Sequence, residues 1–161
     1  MILFLDFDGV LHPDPCPDQS RLFENAPRLV EVLEEFPDLG VVLSTSWRTV
    51  CSQAELLAAL PPQLRSRVLG ANPRRSDFKP APVRLPYRRH AECEEWLRMH
   101  GMPDSPWLAL DDRADGFAPF CERLLLCDAR IGFDPRVQAQ LRAMLTLARR
   151  RRGAPVDVVL A

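Results

Sequence analysis

Met-Ile-Leu-Phe-Leu-Asp-Phe-Asp-Gly-Val-Leu-His, residues Met1 to His12, is the stretch whose reading decides the fold. Ile2 to Leu5 is a short, continuous apolar run, the pattern of a strand buried on both faces. Asp6 and Asp8 follow at alternate positions, and Gly9 lets the backbone turn sharply. Alternate residues of a strand point the same way, so the two carboxylates can converge at its end. They repel unless a proton or a cation lies between them. A hard cation with oxygen ligands, Mg²⁺ above all, suits the pair. The same letters also fit a β-hairpin with Asp8-Gly9 as its turn between apolar runs. The rest of the chain has to decide between the two.

The 161 residues suit one domain with its own hydrophobic core. No apolar run approaches the length of a membrane span, so no membrane partner is expected. An acid-tipped core strand begins at residue 2, with no basic start and no cleavage site. No signal peptide is therefore expected, and the cytoplasm is the expected location. The five cysteines (Cys16, Cys51, Cys93, Cys121, Cys127) are scattered, and no Cys-x-x-Cys occurs. Free thiols are expected, rather than zinc or a disulfide framework. Charge is unevenly spread. Between Pro61 and His90, eight basic residues stand against Asp77 alone, a formal +7 in a chain whose net charge is −1. Lys79 in that segment is the only lysine.

Working outward, three prolines (Pro13, Pro15, Pro17) make a loop after the first strand. A helix is expected from about Asn25 to Glu35, with Leu29, Val32 and Leu33 on its apolar stripe and Pro27 in its first turn. Leu39 to Leu43 reads as a second buried strand and delivers Ser44, Thr45, Ser46, Trp47 and Arg48. A helix from about Thr49 to Leu60, stopped by Pro61-Pro62, and a weak strand at Arg67 to Leu69 follow. Residues 70–88 form a proline- and arginine-rich loop, long for a connection. Then come a helix from Arg88 to about His100, a strand Trp107 to Leu110 ending in Asp111-Asp112, and a strand Arg123 to Cys127. Asp134-Pro135 reads as the cap of a last helix running to about Arg151, and Val156 to Leu160 as an edge strand. Alternating strands and helices predict an α/β domain, a three-layer, doubly wound parallel sheet in one domain spanning 1–161. In such sheets the site lies at the carboxyl ends of the strands. Here three strands end in Asp-x-Asp, Ser-Thr-Ser and Asp-Asp, which turn chemistry alone does not explain. The hairpin reading recedes.

The Asp6-x-Asp8-Gly-Val-Leu string resembles the first motif of the haloacid dehalogenase-like (HAD) phosphohydrolases, and the other clusters resemble the remaining motifs. The resemblance implies a Rossmann-like sheet and a Mg²⁺-dependent phosphatase that works through an aspartyl-phosphate. Asp6 would then be the nucleophile and Asp8 the general acid and base. Asp111 and Asp112 match the fourth motif, which completes the metal site with Asp6 and the backbone carbonyl of Asp8. The second motif needs a hydroxyl that holds a phosphate oxygen. Thr45 is the first choice and Ser46 the second, with Ser44 also offering one. Arg48 could fork onto phosphate. The third motif needs a cation before the fourth strand. Arg89 matches it, with Arg88 and Lys79 as runners-up. Cations are unfavourable at a helix N-terminus, so Arg88-Arg89 is expected to answer a nearby negative charge.

A narrower resemblance rests on Ser44-Thr-Ser-Trp-Arg48, Arg89-x-x-Glu92-Cys93-x-x-Trp96-Leu97 and Trp107-x-x-Leu110-Asp111-Asp112. Together these look like the small HAD domains associated with Swiss Army Knife RNA repair proteins. That implies work on phosphorylated nucleic-acid ends or nucleotides. Both gaps where HAD enzymes insert a cap are short, so little or no cap is expected, and an open site with a basic rim. His12 and Trp47 carry no expected role beyond packing. Asp115 reads equally as a supporting or a solvated carboxylate. The alternative to an enzyme is a phosphate- or nucleic-acid-binding module of the same fold, in which turnover is incidental.

Overall fold

Five strands, β1 (Ile2–Leu5), β2 (Gly40–Leu43), β3 (Val68–Ala71), β4 (Trp107–Asp111) and β5 (Leu124–Leu126), pair in parallel in the order β3-β2-β1-β4-β5. The computed structural model describes residues 1–79 and 85–153. The strand expected at Val156 to Leu160, and Arg84 in the arginine-rich loop, lie outside the described residues.

Both faces of the sheet are buried, which is why its strands read as continuous apolar runs. Leu3, Leu5, Val41, Leu43, Leu108 and Leu110 point into one core. That core also takes Leu29, Val32 and Leu33 of α1 (Ala26–Glu35), Leu56 of α2 (Gln53–Ala58), Leu64 of α3 (Pro62–Arg65) and Leu141 of α5 (Pro135–Gly153). Ile2, Phe4, Val42, Trp107 and Ala109 point the other way, onto Cys93, Trp96 and Leu97 of α4 (Arg88–Met99). This is the expected α/β arrangement, with β1 in the middle. Among the described residues, neither the loop before α1 nor the one before α4 holds a strand or an α-helix. No described helix is long and apolar enough to cross a membrane.

One expected element is corrected. The helix expected from Thr49 to Leu60 is instead a 3₁₀ turn at Ser46–Thr49, followed by the short α2. Ser52 and Glu55 form a reciprocal capping box that starts α2 afresh. Pro61-Pro62 ends α2, but it also begins α3, because proline suits a first helical turn.

Candidate active site

The ends of β1, β2 and β4 lie side by side. The Asp6 N–H donates to the Leu110 carbonyl (3.0 Å), and the Ser44 N–H donates to the Leu5 carbonyl (2.7 Å). The ladder therefore carries each polar cluster to the same rim. Carboxylate oxygens of Asp6, Asp111 and Asp112 lie within 4.8 Å of one another. Gly9 makes this possible. Its φ is +66°, and a Cβ there would sit 2.5 Å from Oδ2 of Asp112.

Asp6 is 3 % exposed and Asp111 is 1 %. Asp6 Oδ1 accepts from the Phe7 N–H (2.7 Å), and Oδ2 accepts from Arg89 Nη2 (3.2 Å). Asp111 Oδ1 accepts from the Arg113 N–H (2.9 Å), and Oδ2 lies 3.8 Å from Arg89 Nε. Burial pushes both carboxyls well above the usual range; Arg89 opposes this without cancelling it. Burial also raises Asp112. Asp111 Oδ2 is buried and has no hydrogen-bond partner among the described residues. Converging buried carboxylates with an unpartnered oxygen are a donor set that fits a hard divalent cation. Arg89 reaches these groups because Gly116 leaves room: a Cβ there would be 2.8 Å from Arg89 Cγ.

Asp8 is two residues from Asp6 and has different surroundings. Both its oxygens lie 2.9 Å from Trp47 Nε1, which donates to them. His12 Nε2 is 3.2 Å from Oδ1, and Ser46 Oγ donates to Oδ2 at 3.4 Å. The Phe23 N–H donates to His12 Nδ1 (3.5 Å), which leaves Nε2 to face the carboxylate. The His12 contact, helped by those of Trp47 and Ser46, holds Asp8 below its ordinary value against the opposing effect of burial, which is second only to His12. His12 is 1 % exposed and packs edge to face on Phe23 and tilted on Trp47, beside the mutual edge-to-face contacts of Phe7, Phe23 and Trp47. The sequence reading gave His12 and Trp47 no role beyond packing. The four-residue spacing from Asp8 to His12, across a turn opened by Gly9, was the available signal.

The three neighbouring hydroxyls face different ways. Ser44 is buried and accepts from Asn72 Nδ2 (3.0 Å). Thr45, the first choice from sequence, is fully buried, and its hydroxyl caps the 3₁₀ turn by accepting from the Trp47 N–H (3.3 Å). Ser46 is the exposed one. Arg48 is not a surface arginine: it is 5 % exposed, pairs with fully buried Glu92 (2.5 Å) and donates to the Thr45 carbonyl. Arg88 pairs with the other Glu92 oxygen (2.8 Å). Arg48, Arg88, Arg89 and Ser46 all line one cleft at the rim. Lys79 is brought to none of them. It lies exposed beside Ser76, Asp77 and Arg98. Asp115 is exposed and pairs with Arg113 (3.1 Å).

A family model described as "HAD domain in Swiss Army Knife RNA repair proteins" matches residues 2–137. Comparison with curated proteins gave no match, and comparison with solved structures gave none.

Proposed function

The chain belongs to the family of HAD domains in Swiss Army Knife RNA repair proteins, and from this premise we propose that it is a Mg²⁺-dependent phosphomonoester hydrolase working through an aspartyl-phosphate on Asp6. One observation carries the reading: two carboxylates two residues apart are held for different tasks. Asp6 is buried among acids and faces Arg89. Asp8 is half-buried and held by Trp47, His12 and Ser46. An Asp6 oxygen attacks phosphorus, and the ester bond to the leaving alkoxide breaks. Asp8 delivers a proton to that oxygen, then takes one from the water that attacks the acyl phosphate and frees Asp6. Arg89 balances negative charge on Asp6 and on the transferred group. On this reading the exposed Ser46 hydroxyl holds a phosphate oxygen. Asp6, Asp111 and Asp112, with the Asp8 carbonyl, would hold Mg²⁺, which when bound offsets charge on the nucleophile and the phosphate. Phosphorylated nucleic-acid ends or nucleotides are the substrates on this reading, which the family's description as a domain of RNA repair proteins supports.

A turnover screen with Mg²⁺ over p-nitrophenyl phosphate, nucleotides, phosphosugars and end-phosphorylated oligonucleotides tests the activity. Asp6→Asn is expected to abolish turnover, and beryllofluoride to bind the Asp6 carboxylate of the unaltered protein. Normal phosphate release from pure Asp6→Asn would sink the covalent mechanism. Phosphate binding with no turnover on any ester would favour a binding module.

A further inference from the structure

Beside the carboxylates lies a cleft of about 350 Å³, lined by Ser46, Arg48, Arg88, Arg89, Arg113 and Asp115 among others. None of the four aspartates of the site lines it, yet it opens onto them at two points. Ser46 Oγ is 3.4 Å from Asp8 Oδ2, and Arg89 Nη2 is 3.2 Å from Asp6 Oδ2. A phosphate seated at Asp6 would therefore leave this cleft for another part of the same molecule.

Its wall has more positive charge than its own acids answer. Arg48 and Arg88 share a single carboxylate, that of Glu92. Arg113 has Asp115, in a pair whose side chains are 67 % and 73 % exposed and so gain little from each other. Arg89 is committed to Asp6 and Asp111. Two buried donors, Arg48 Nε and Arg89 Nη1, have no acceptor among the described residues. Buried N–H groups are seldom left so. A cleft rich in guanidinium donors and poor in acceptors matches one ligand chemistry best, the planar fork of arginine on phosphate oxygens.

We propose that this cleft is a second-phosphate subsite, so that the preferred substrates are phosphomonoesters carrying another phosphate, as monoester or diester, on the same molecule. This rests on the phosphohydrolase reading above and narrows its substrate class. The scissile phosphate sits at Asp6. The second is gripped by Arg88 and Arg113 at the mouth, over the fixed charge of Arg48.

The test compares adenosine 3′,5′-bisphosphate and a 3′-phosphorylated dinucleotide with adenosine 3′- and 5′-monophosphate. The unaltered protein and the Arg88→Gln, Arg113→Gln double variant are used, with Mg²⁺. The two side chains are 60 % and 67 % exposed, so the variant is expected to fold. The unaltered protein should prefer the doubly charged esters in kcat/KM by about tenfold or more. The preference should sit mainly in KM, shrink with added salt and fall about tenfold in the double variant. Preference for both esters assigns it to charge; preference for the dinucleotide alone assigns the diester as its source. A ratio near one in the unaltered protein, or one unchanged in the variant, overturns the subsite. If no ester is turned over, the phosphohydrolase reading fails instead, and calorimetry with adenosine 3′,5′-bisphosphate still decides the subsite. Binding about tenfold weaker in the double variant supports it, and equal affinity refutes it.

Discussion

Asp6 and Asp8 share a strand end, yet their surroundings push their protonation in opposite directions. Asp6 loses water and gains acidic neighbours; Asp8 gains N–H donors. Trp47 is then more than a packed ring, since its Nε1 is 2.9 Å from each Asp8 oxygen. Trp47→Phe keeps most of the aromatic contact with Phe7 and Phe23 but removes that donor. That N–H stabilises the ionised carboxylate, so without it the Asp8 pKa should rise, and the limb of the kcat profile that Asp8 sets should move to higher pH. The move should show more clearly with alkyl phosphates than with p-nitrophenyl phosphate, because poor leaving groups depend more on a proton donor. Steady-state pH profiles on both esters measure it, and an unchanged profile would reduce Trp47 to packing. At this scale the sequence could name the acids but not their partners. Strand alternation tells where Asp6 and Asp8 point. It cannot tell that a tryptophan 39 residues away turns its nitrogen onto one of them.

Among the elements, α4 joins core to site. Its inner face buries Cys93, Trp96 and Leu97, and its first turn presents Arg88 and Arg89. The expectation that two cations at a helix N-terminus answer negative charge is met by Glu92 for Arg88 and by Asp6 and Asp111 for Arg89. Glu92 is fully buried, and it compensates Arg48 as well. Glu92→Ala should cost about 3–5 kcal/mol, because it leaves the buried guanidinium without its counter-charge. Replacing both partners, Arg48→Met with Glu92→Leu, should be much less costly than that single change. Urea titrations of the two variants make the comparison, and a double variant no more stable than the single would refute it. Long periodic helices such as α1 and α4 were legible from their stripes. The break between the 3₁₀ turn and α2 was missed although Ser52-x-x-Glu55 stood in the sequence, and α3 was missed because Pro61-Pro62 was read only as a stop. An unbroken apolar rhythm up to Pro61-Pro62 hid a chain that restarts twice.

For the whole molecule, the proposed Mg²⁺ site should make stability depend on metal and on pH together. Asp6 and Asp111 have raised pKa values, so the folded protein without metal holds protons that the unfolded chain releases. Their cost to stability is complete above neutrality and is relieved as pH falls toward the ordinary carboxylate value of ~4. The lowered pKa of Asp8 acts the other way: its stabilisation is present above that value and is lost as pH falls through its folded pKa. Without metal, the cluster should therefore favour folding more at pH 5.5 than at pH 8. Mg²⁺ should raise the melting temperature more at pH 8, where no proton competes. Saturation to a hundredfold above Kd corresponds to about 2.7 kcal/mol. Scanning calorimetry at both pH values, with Mg²⁺ or a chelator, checks the sign; an equal Mg²⁺ shift at both would contradict it. The sheet and its polar rim were the most legible features, because apolar runs ending in acids and hydroxyls are local patterns. The charged wall of the cleft was visible only as an excess of arginine. Which guanidinium meets which acid depends on pairs as far apart in sequence as Arg48 and Glu92 or Arg89 and Asp6.

The central place of β1 also sets an order of assembly. β1 leaves the ribosome before either of the strands that flank it: β2, which begins at Gly40, and β4, which begins only at Trp107. Parallel pairing over such a separation carries a large loop-closure cost and is slow. A nascent chain shorter than this can zip β1 to β2 and β2 to β3, but the other edge of β1 stays open and Asp6 still lacks the acids it must meet. Structure can thus accumulate gradually during synthesis. The acid cluster cannot: it is assembled in one step, when residues 107–112 dock.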